Sequence, residues 1–195
     1  MKSRTRLSLC RFSFLILCAG WTVSTATADE EDEIKQLEVG DRVIDFDLPV
    51  VGGEEYLSLS DEYKQGAVVV IVLRGFPGYQ CPECSRQIGS LANRAKTLAK
   101  AAHRVILVYP GQAPLIRRAE EFKGSRRLPE PLVIVRDDGM EMVQQWGLRW
   151  NASNETAYPA TYIVDRNGRV RWKTVSQSHA GRSSIEEILK ELRKL

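Results

Sequence analysis

The chain has 195 residues, with 28 Lys plus Arg against 25 Asp plus Glu, two His and four Cys. Its basic excess lies at the start, because Lys2, Arg4, Arg6 and Arg11 all precede the first acidic residue, Asp29. The remainder is close to neutral and gives no electrostatic ground for a nucleic-acid partner. One Cys-x-x-Cys pair, no second pair and two histidines leave too few ligands for a common structural zinc site.

Residues 1–28 have the order of a secretory signal peptide: a basic stretch, an apolar run from Phe12 to Val23, and Ala26-Thr27-Ala28 as a small-x-small cleavage site. The apolar run is short for a membrane span, so membrane contact is expected only if this segment stays uncleaved. Residues 29–38 are strongly acidic and are expected to form a flexible segment. Residues 39–195 are the length of one domain. Cys10 and Cys18 leave with the signal, so Cys81 and Cys84 are the cysteines of an exported, periplasmic or secreted protein. In an oxidising compartment they rest as a disulfide unless something reduces them.

Phe46 to Val50 and Glu55 to Leu59 flank Gly52-Gly53 and predict a β-hairpin. Ser60, followed by Asp61 and Glu62, predicts the cap of a short helix ending at Gly66. The unbroken apolar run Ala67 to Leu73 predicts a strand buried on both faces. From Cys84 onward Ile88, Leu91, Ala95, Leu98 and Ala102 recur at helical spacing, which predicts one amphipathic helix ending at His103. Val105 to Tyr109 reads as a second buried strand, Pro114 to Phe122 as a helix, Leu132 to Val135 as a third strand and Met140 to Trp146 as a short helix. Tyr158 to Asp165 and Val170 to Lys173, joined through Asn167-Gly168, predict an antiparallel hairpin. Ser183 and Glu186 stand at capping-box spacing before a final helix with Ile185, Ile188, Leu189, Leu192 and Leu195 on one face.

The chemistry centres on Arg74-Gly75-Phe76-Pro77-Gly78-Tyr79-Gln80-Cys81-Pro82-Glu83-Cys84. Both thiols fall at the N-terminus of a helix that follows a buried strand. Unpaired amides and the positive end of the helix dipole favour a thiolate there, the reactive form of the sulfur. Glu83 places a carboxylate beside the thiols, and Trp146, Trp150, Tyr158 and Tyr162 form an aromatic group expected near the site.

With these parts assembled, the chain resembles the thioredoxin fold, in the redoxin branch of the alkyl hydroperoxide reductase/thiol-specific antioxidant proteins (peroxiredoxins) and the TlpA-like thioredoxins. The residues that carry the resemblance are Phe46-x-Leu48, Cys81-Pro82-Glu83-Cys84, and Tyr158-Pro159-Ala160-Thr161-Tyr162 leading to Asp165-x-x-Gly168. It implies an α/β fold with a central mixed sheet flanked by helices and an N-terminal β-hairpin extension.

For function it implies a thiol-dependent oxidoreductase with peroxiredoxin-like antioxidant activity, cycling a Cys81–Cys84 disulfide and needing no cofactor. Substrates would be a small hydroperoxide or a protein disulfide, with a thiol reductant as partner. Pro77 and Cys84 meet the peroxiredoxin spacing, although Cys81 replaces its Thr or Ser and Pro159 stands near the place of its Arg. In that version Cys84 attacks and Cys81 resolves, with Arg74 as the candidate cationic neighbour. In the TlpA-like alternative Cys81 attacks a disulfide, Cys84 resolves, and Pro159 is the cis-proline facing the pair. A third reading is a copper-binding module in which His179 joins the two thiols as ligand.

Overall fold

In the computed structural model the described residues are 35–74, 81–111 and 128–195. The signal segment and the helix expected from Pro114 to Phe122 lie outside them.

The hairpin forms as expected, with β1 (Asp47–Pro49) antiparallel to β2 (Tyr56–Ser58) and Leu48 opposite Leu57. Helix α1 (Leu59–Gln65) follows directly. Its N-cap is Ser58, two residues earlier than expected, and Ser60 instead donates its amide N–H to Asp45 Oδ1 at 2.8 Å.

The apolar run becomes β3 (Val68–Val72), the centre of a five-stranded sheet with β4 (Arg104–Pro110), β5 (Leu132–Asp137), β6 (Ala160–Val164) and β7 (Val170–Val175). The order is β5-β4-β3-β6-β7; β3, β4 and β5 run parallel, while β6 is antiparallel to both β3 and β7. Successive β3 side chains go to opposite faces. Val69, Ile71 and Leu73 join one core cluster, and Val68, Val70 and Val72 join the other. Burial on both sides is the reason this strand shows no polar alternation.

Over the first face pack α2 (Pro82–Asn93), the short α3 (Ala95–Leu98) and the last helix, which is preceded by α4 (Glu141–Gln145) in the chain and numbered α5 (Ile185–Leu192). The single helix expected after Cys84 is thus two. Arg94 leaves helical geometry at φ −108°, and tighter three-residue bonds, Arg94 N–H to Leu91 and Thr97 N–H to Arg94, carry the chain round while Ala95 and Leu98 remain buried. The other face is filled from α1, α4 and the N-terminal segment. There Trp146 meets Tyr162 edge-on at 5.1 Å and donates from Nε1 to the carbonyl of Ile44.

Residues 35–38 differ from the flexible segment expected of them. Leu37 is in the core, Gln36 Nε2 donates to the Gly147 carbonyl, and the backbone at Gln36 runs so close to Gly147 that a Cβ there would stand 2.6 Å from its nitrogen. With φ at +66°, Gly147 is doubly constrained. The capping box of α5 also moves by one residue, to Ser184 and Glu187. Ser183 points inward and bonds Thr161 Oγ1 at 2.7 Å, which ties the loop before α5 to β6.

Strand direction decides where chemistry gathers. β3 and β7 run the same way and β6 runs against them, so the chain leaving β3, the chain leaving β7 and the chain entering β6 meet at one end of the sheet.

Candidate active site

Cys81 is the N-cap of α2, and Pro82 takes its first position, where a missing N–H costs nothing. Cys84, one turn in, packs fully buried against the sheet. Both are free thiols.

The surroundings push the two thiols in opposite directions. Cys81 is lowered from 9.0 to about 5, first by the hydrogen bond that the Cys84 thiol donates to it. Burial works against this, while the Cys84 and Glu83 amides and the charge of Arg182 work for it. No side-chain capping bond forms at Cys81, so the amides act mainly as oriented dipoles at the helix start. Cys84 is pushed far up, first by holding the proton shared with Cys81 and then by burial, with Arg182 opposing. These directions favour the thiolate at Cys81, with Cys84 as its donor.

Arg182 is the cation of the site. Its Nη2 lies 3.1 Å from Cys84 Sγ and 3.6 Å from Cys81 Sγ. The sequence patterns did not single out Arg182. The available signal was topological: Arg182 follows β7, which ends at the same end of the sheet as β3, with β6 between them, and α5 packs on the same face as α2.

Arg74 is placed differently from the expected cationic neighbour of the thiols. Its guanidinium is buried and grips Glu155 through Nε to Oε2 at 2.6 Å and Nη2 to Oε1 at 2.7 Å. Its backbone does reach the site, since the Arg74 amide donates to Cys84 Sγ at 3.4 Å. Glu155 is held below the usual carboxylate range, first by Arg74, with His179 adding to it.

Pro159 requires a correction. The Tyr158–Pro159 bond is trans; the cis bond among the described residues is Glu130–Pro131. Tyr158 donates its amide to Leu148, and the Pro159 carbonyl accepts from Ser176 at 2.8 Å. An extended trans segment satisfies both bonds and prolongs the β6–β7 pairing by one residue, so this carbonyl is engaged within the chain.

The aromatic group also divides. Trp146 and Tyr162 belong to the core on the far face, whereas Trp150 stacks on Tyr158 at 4.8 Å with the His179 ring 5.3 Å away. Glu83 pairs with Arg86 on the exposed side of α2. His179 Nε2 is bonded to Glu155 Oε1 at 2.9 Å, and among the described residues no group of three His, Cys, Asp or Glu side chains could hold a metal. The copper reading therefore lacks its ligand set.

Comparison with known proteins places this sheet and its helices in a family. Residues 39–173 match the AhpC/TSA family. The chain belongs to that family. A curated relative of this AhpC/TSA protein, the thiol-disulfide oxidoreductase ResA of Geobacillus kaustophilus, is 28% identical over 173 residues, covering 88% of each chain. Among solved structures, peroxidoxin BcpB of Mycobacterium tuberculosis aligns with a TM-score of 0.64 at 21% identity, over 82% of this chain and 99% of its own. AhpC of Mycobacterium tuberculosis aligns at 0.62 and 16%, over 82% and 93%. These structural likenesses bear on the fold, which is the expected mixed sheet of a thioredoxin-like redoxin. With its family shown, this AhpC/TSA protein is a thiol-dependent oxidoreductase.

Proposed function

We propose that the protein is an exported thiol–disulfide oxidoreductase whose nucleophile is Cys81 and whose resolving thiol is Cys84. The observation that carries this reading is the placement of Arg182 Nη2 within reach of both sulfurs at the start of α2, where Cys81 is pulled toward the thiolate and Cys84 away from it. The Cys81 thiolate attacks one sulfur of a substrate disulfide, forming a mixed disulfide and expelling the other sulfur as a thiolate. Once Cys81 is bonded, Cys84 loses the anion that held its proton. Arg182 and the Arg74 amide remain beside it, so its proton passes to the departing thiolate or to water. Cys84 then attacks Cys81 Sγ, closing the protein disulfide and releasing the second substrate thiol. Two electrons pass to the substrate, and a thiol reductant must return them. The ResA relative, a thiol-disulfide oxidoreductase, supports the same reaction here.

This order reverses the peroxiredoxin-like version, in which Cys84 attacks peroxide. Stopped-flow oxidation of the reduced protein by a protein disulfide and by hydrogen peroxide separates the two. A saturable reaction with the disulfide is expected, with peroxide no faster than its reaction with a free thiolate of similar pKa. Fast peroxide consumption lost only in Cys84→Ser would reinstate the antioxidant reading.

Export rests on residues 1–28. The exported form is expected to begin near Asp29, which its intact mass will test. No helix among the described residues is long and apolar enough to cross a membrane.

A further inference from the structure

Between α2 and the start of α5, joined to the thiols through Arg182, is a cleft of about 470 Å³ whose walls include Glu83, Gln87, Ser90, Arg182, Ser184 and Glu186. Clefts of this size suit small molecules rather than folded partners. Most of its charge is already matched: Arg86 pairs with Glu83, and Arg94 with Glu186 at 3.3 Å. Two groups are not. Gln87 is only 8% exposed, and among the described residues neither its Oε1 nor its Nε2 has a hydrogen-bond partner. Arg182 turns Nη2 to the sulfurs, while its Nε and Nη1 are buried without an acceptor. An orphaned buried amide next to an orphaned guanidinium edge is a costly arrangement for a fold to keep without a ligand.

Resting on the exchange chemistry above, we propose that this cleft binds the carboxylate of a low-molecular-weight thiol that reduces the Cys81–Cys84 disulfide. In the dithiol state the Cys81 thiolate balances Arg182. Closing the disulfide removes that anion and leaves the guanidinium facing two neutral sulfurs, so the oxidised protein gains demand for an anion. A carboxylate can take the free edge of Arg182, and the flexible Gln87 amide, shut off from water as it lies, can swing to meet it. A bidentate, charge-assisted contact of this kind is the strong class of hydrogen bond. The ligand thiolate then attacks Cys81 Sγ and releases Cys84, which takes a proton. A second thiol attacks the mixed disulfide, freeing the Cys81 thiolate and a symmetrical disulfide of the reductant. Two small thiols are oxidised for each protein disulfide reduced.

The test is reduction of the oxidised protein by 3-mercaptopropionate, 2-mercaptoethanol and cysteamine, each corrected to equal thiolate concentration. The expected result is saturation with 3-mercaptopropionate and a rate roughly tenfold above the neutral thiol at low concentration, with inhibition by propionate. Gln87→Leu should erase most of that preference, and Gln87→Glu should turn it toward cysteamine. Both variants should still be reduced by dithiothreitol to two free thiols, which shows that the dithiol itself is intact. Equal bimolecular rates for all three thiols, or a preference unchanged in both variants, would overturn the subsite. Dithiothreitol provides the separate check on the underlying chemistry. If it too fails to cycle the pair, the oxidoreductase reading falls together with the subsite, whereas cycling by dithiothreitol with no carboxylate preference removes the subsite alone.

Discussion

Cys81→Ser is expected to abolish reaction with disulfides and with iodoacetamide at neutral pH, while Cys84→Ser keeps a reactive Cys81 that traps its partner as a stable mixed disulfide. A thiol near 9.0 is only about one per cent ionised at pH 7, whereas one at about 5 is almost wholly thiolate. Alkylation of the reduced protein should therefore titrate with a midpoint near 5. Since the first cause of that low value is the bond donated by Cys84, the two replacements of Cys84 should differ. Serine keeps a hydroxyl donor and should hold the midpoint low; alanine removes it and should move the midpoint upward, with Arg182 and the helix start limiting the rise. Rapid labelling of Cys84 in Cys81→Ser would show that the assignment is inverted. Trapped mixed disulfides can be read directly by mass.

The features that were legible in the sequence are those set by local pattern. The all-apolar β3, the helix beginning at Pro82 and the Asn167-Gly168 turn each carry their cause in neighbouring residues. What the sequence did not show depends on pairs far apart in the chain. Arg74 was expected as the cationic neighbour of the thiols because nothing near it in sequence could draw it elsewhere; the partner that does, Glu155, arrives from the segment before β6. Arg182 is not marked by its neighbours in sequence, because its place depends on β7 ending at the same end of the sheet as β3. The expected cis-proline followed from a motif shared with relatives, but at Pro159 the adjacent Ser176 amide holds the chain extended. The shift of the capping box from Ser183 to Ser184 has the same origin: Thr161, on another strand, draws Ser183 inward.

Glu155→Gln should be among the most destabilising polar substitutions in the chain, because the Arg74 guanidinium that it faces is 3% exposed and Glu155 itself 8%. Removing one charge of a buried pair leaves the other in a low-dielectric setting, at a cost on the order of 3–5 kcal/mol. The exposed His179, at 57%, cannot make good that loss from the other side of the carboxylate. The pH dependence has a definite sign. Because the folded-state pKa of Glu155 is depressed, its contribution is fully present above the unfolded value of about 4.5 and is lost as pH falls below that toward the folded value. Urea unfolding at pH 7 and at pH 4 measures both effects: the variant should be much weaker than wild type at pH 7, and the gap should narrow at the lower pH. The double change Arg74→Met with Glu155→Leu should recover much of the stability, since an apolar pair of similar volume avoids desolvating two ions. It should not recover the chemistry in full, because the Arg74 amide that supports Cys84 is positioned by the same anchored residue. A Glu155→Gln protein within about 1 kcal/mol of wild type at both pH values would mean that water reaches the pair and that it does not anchor the strand end carrying the dithiol.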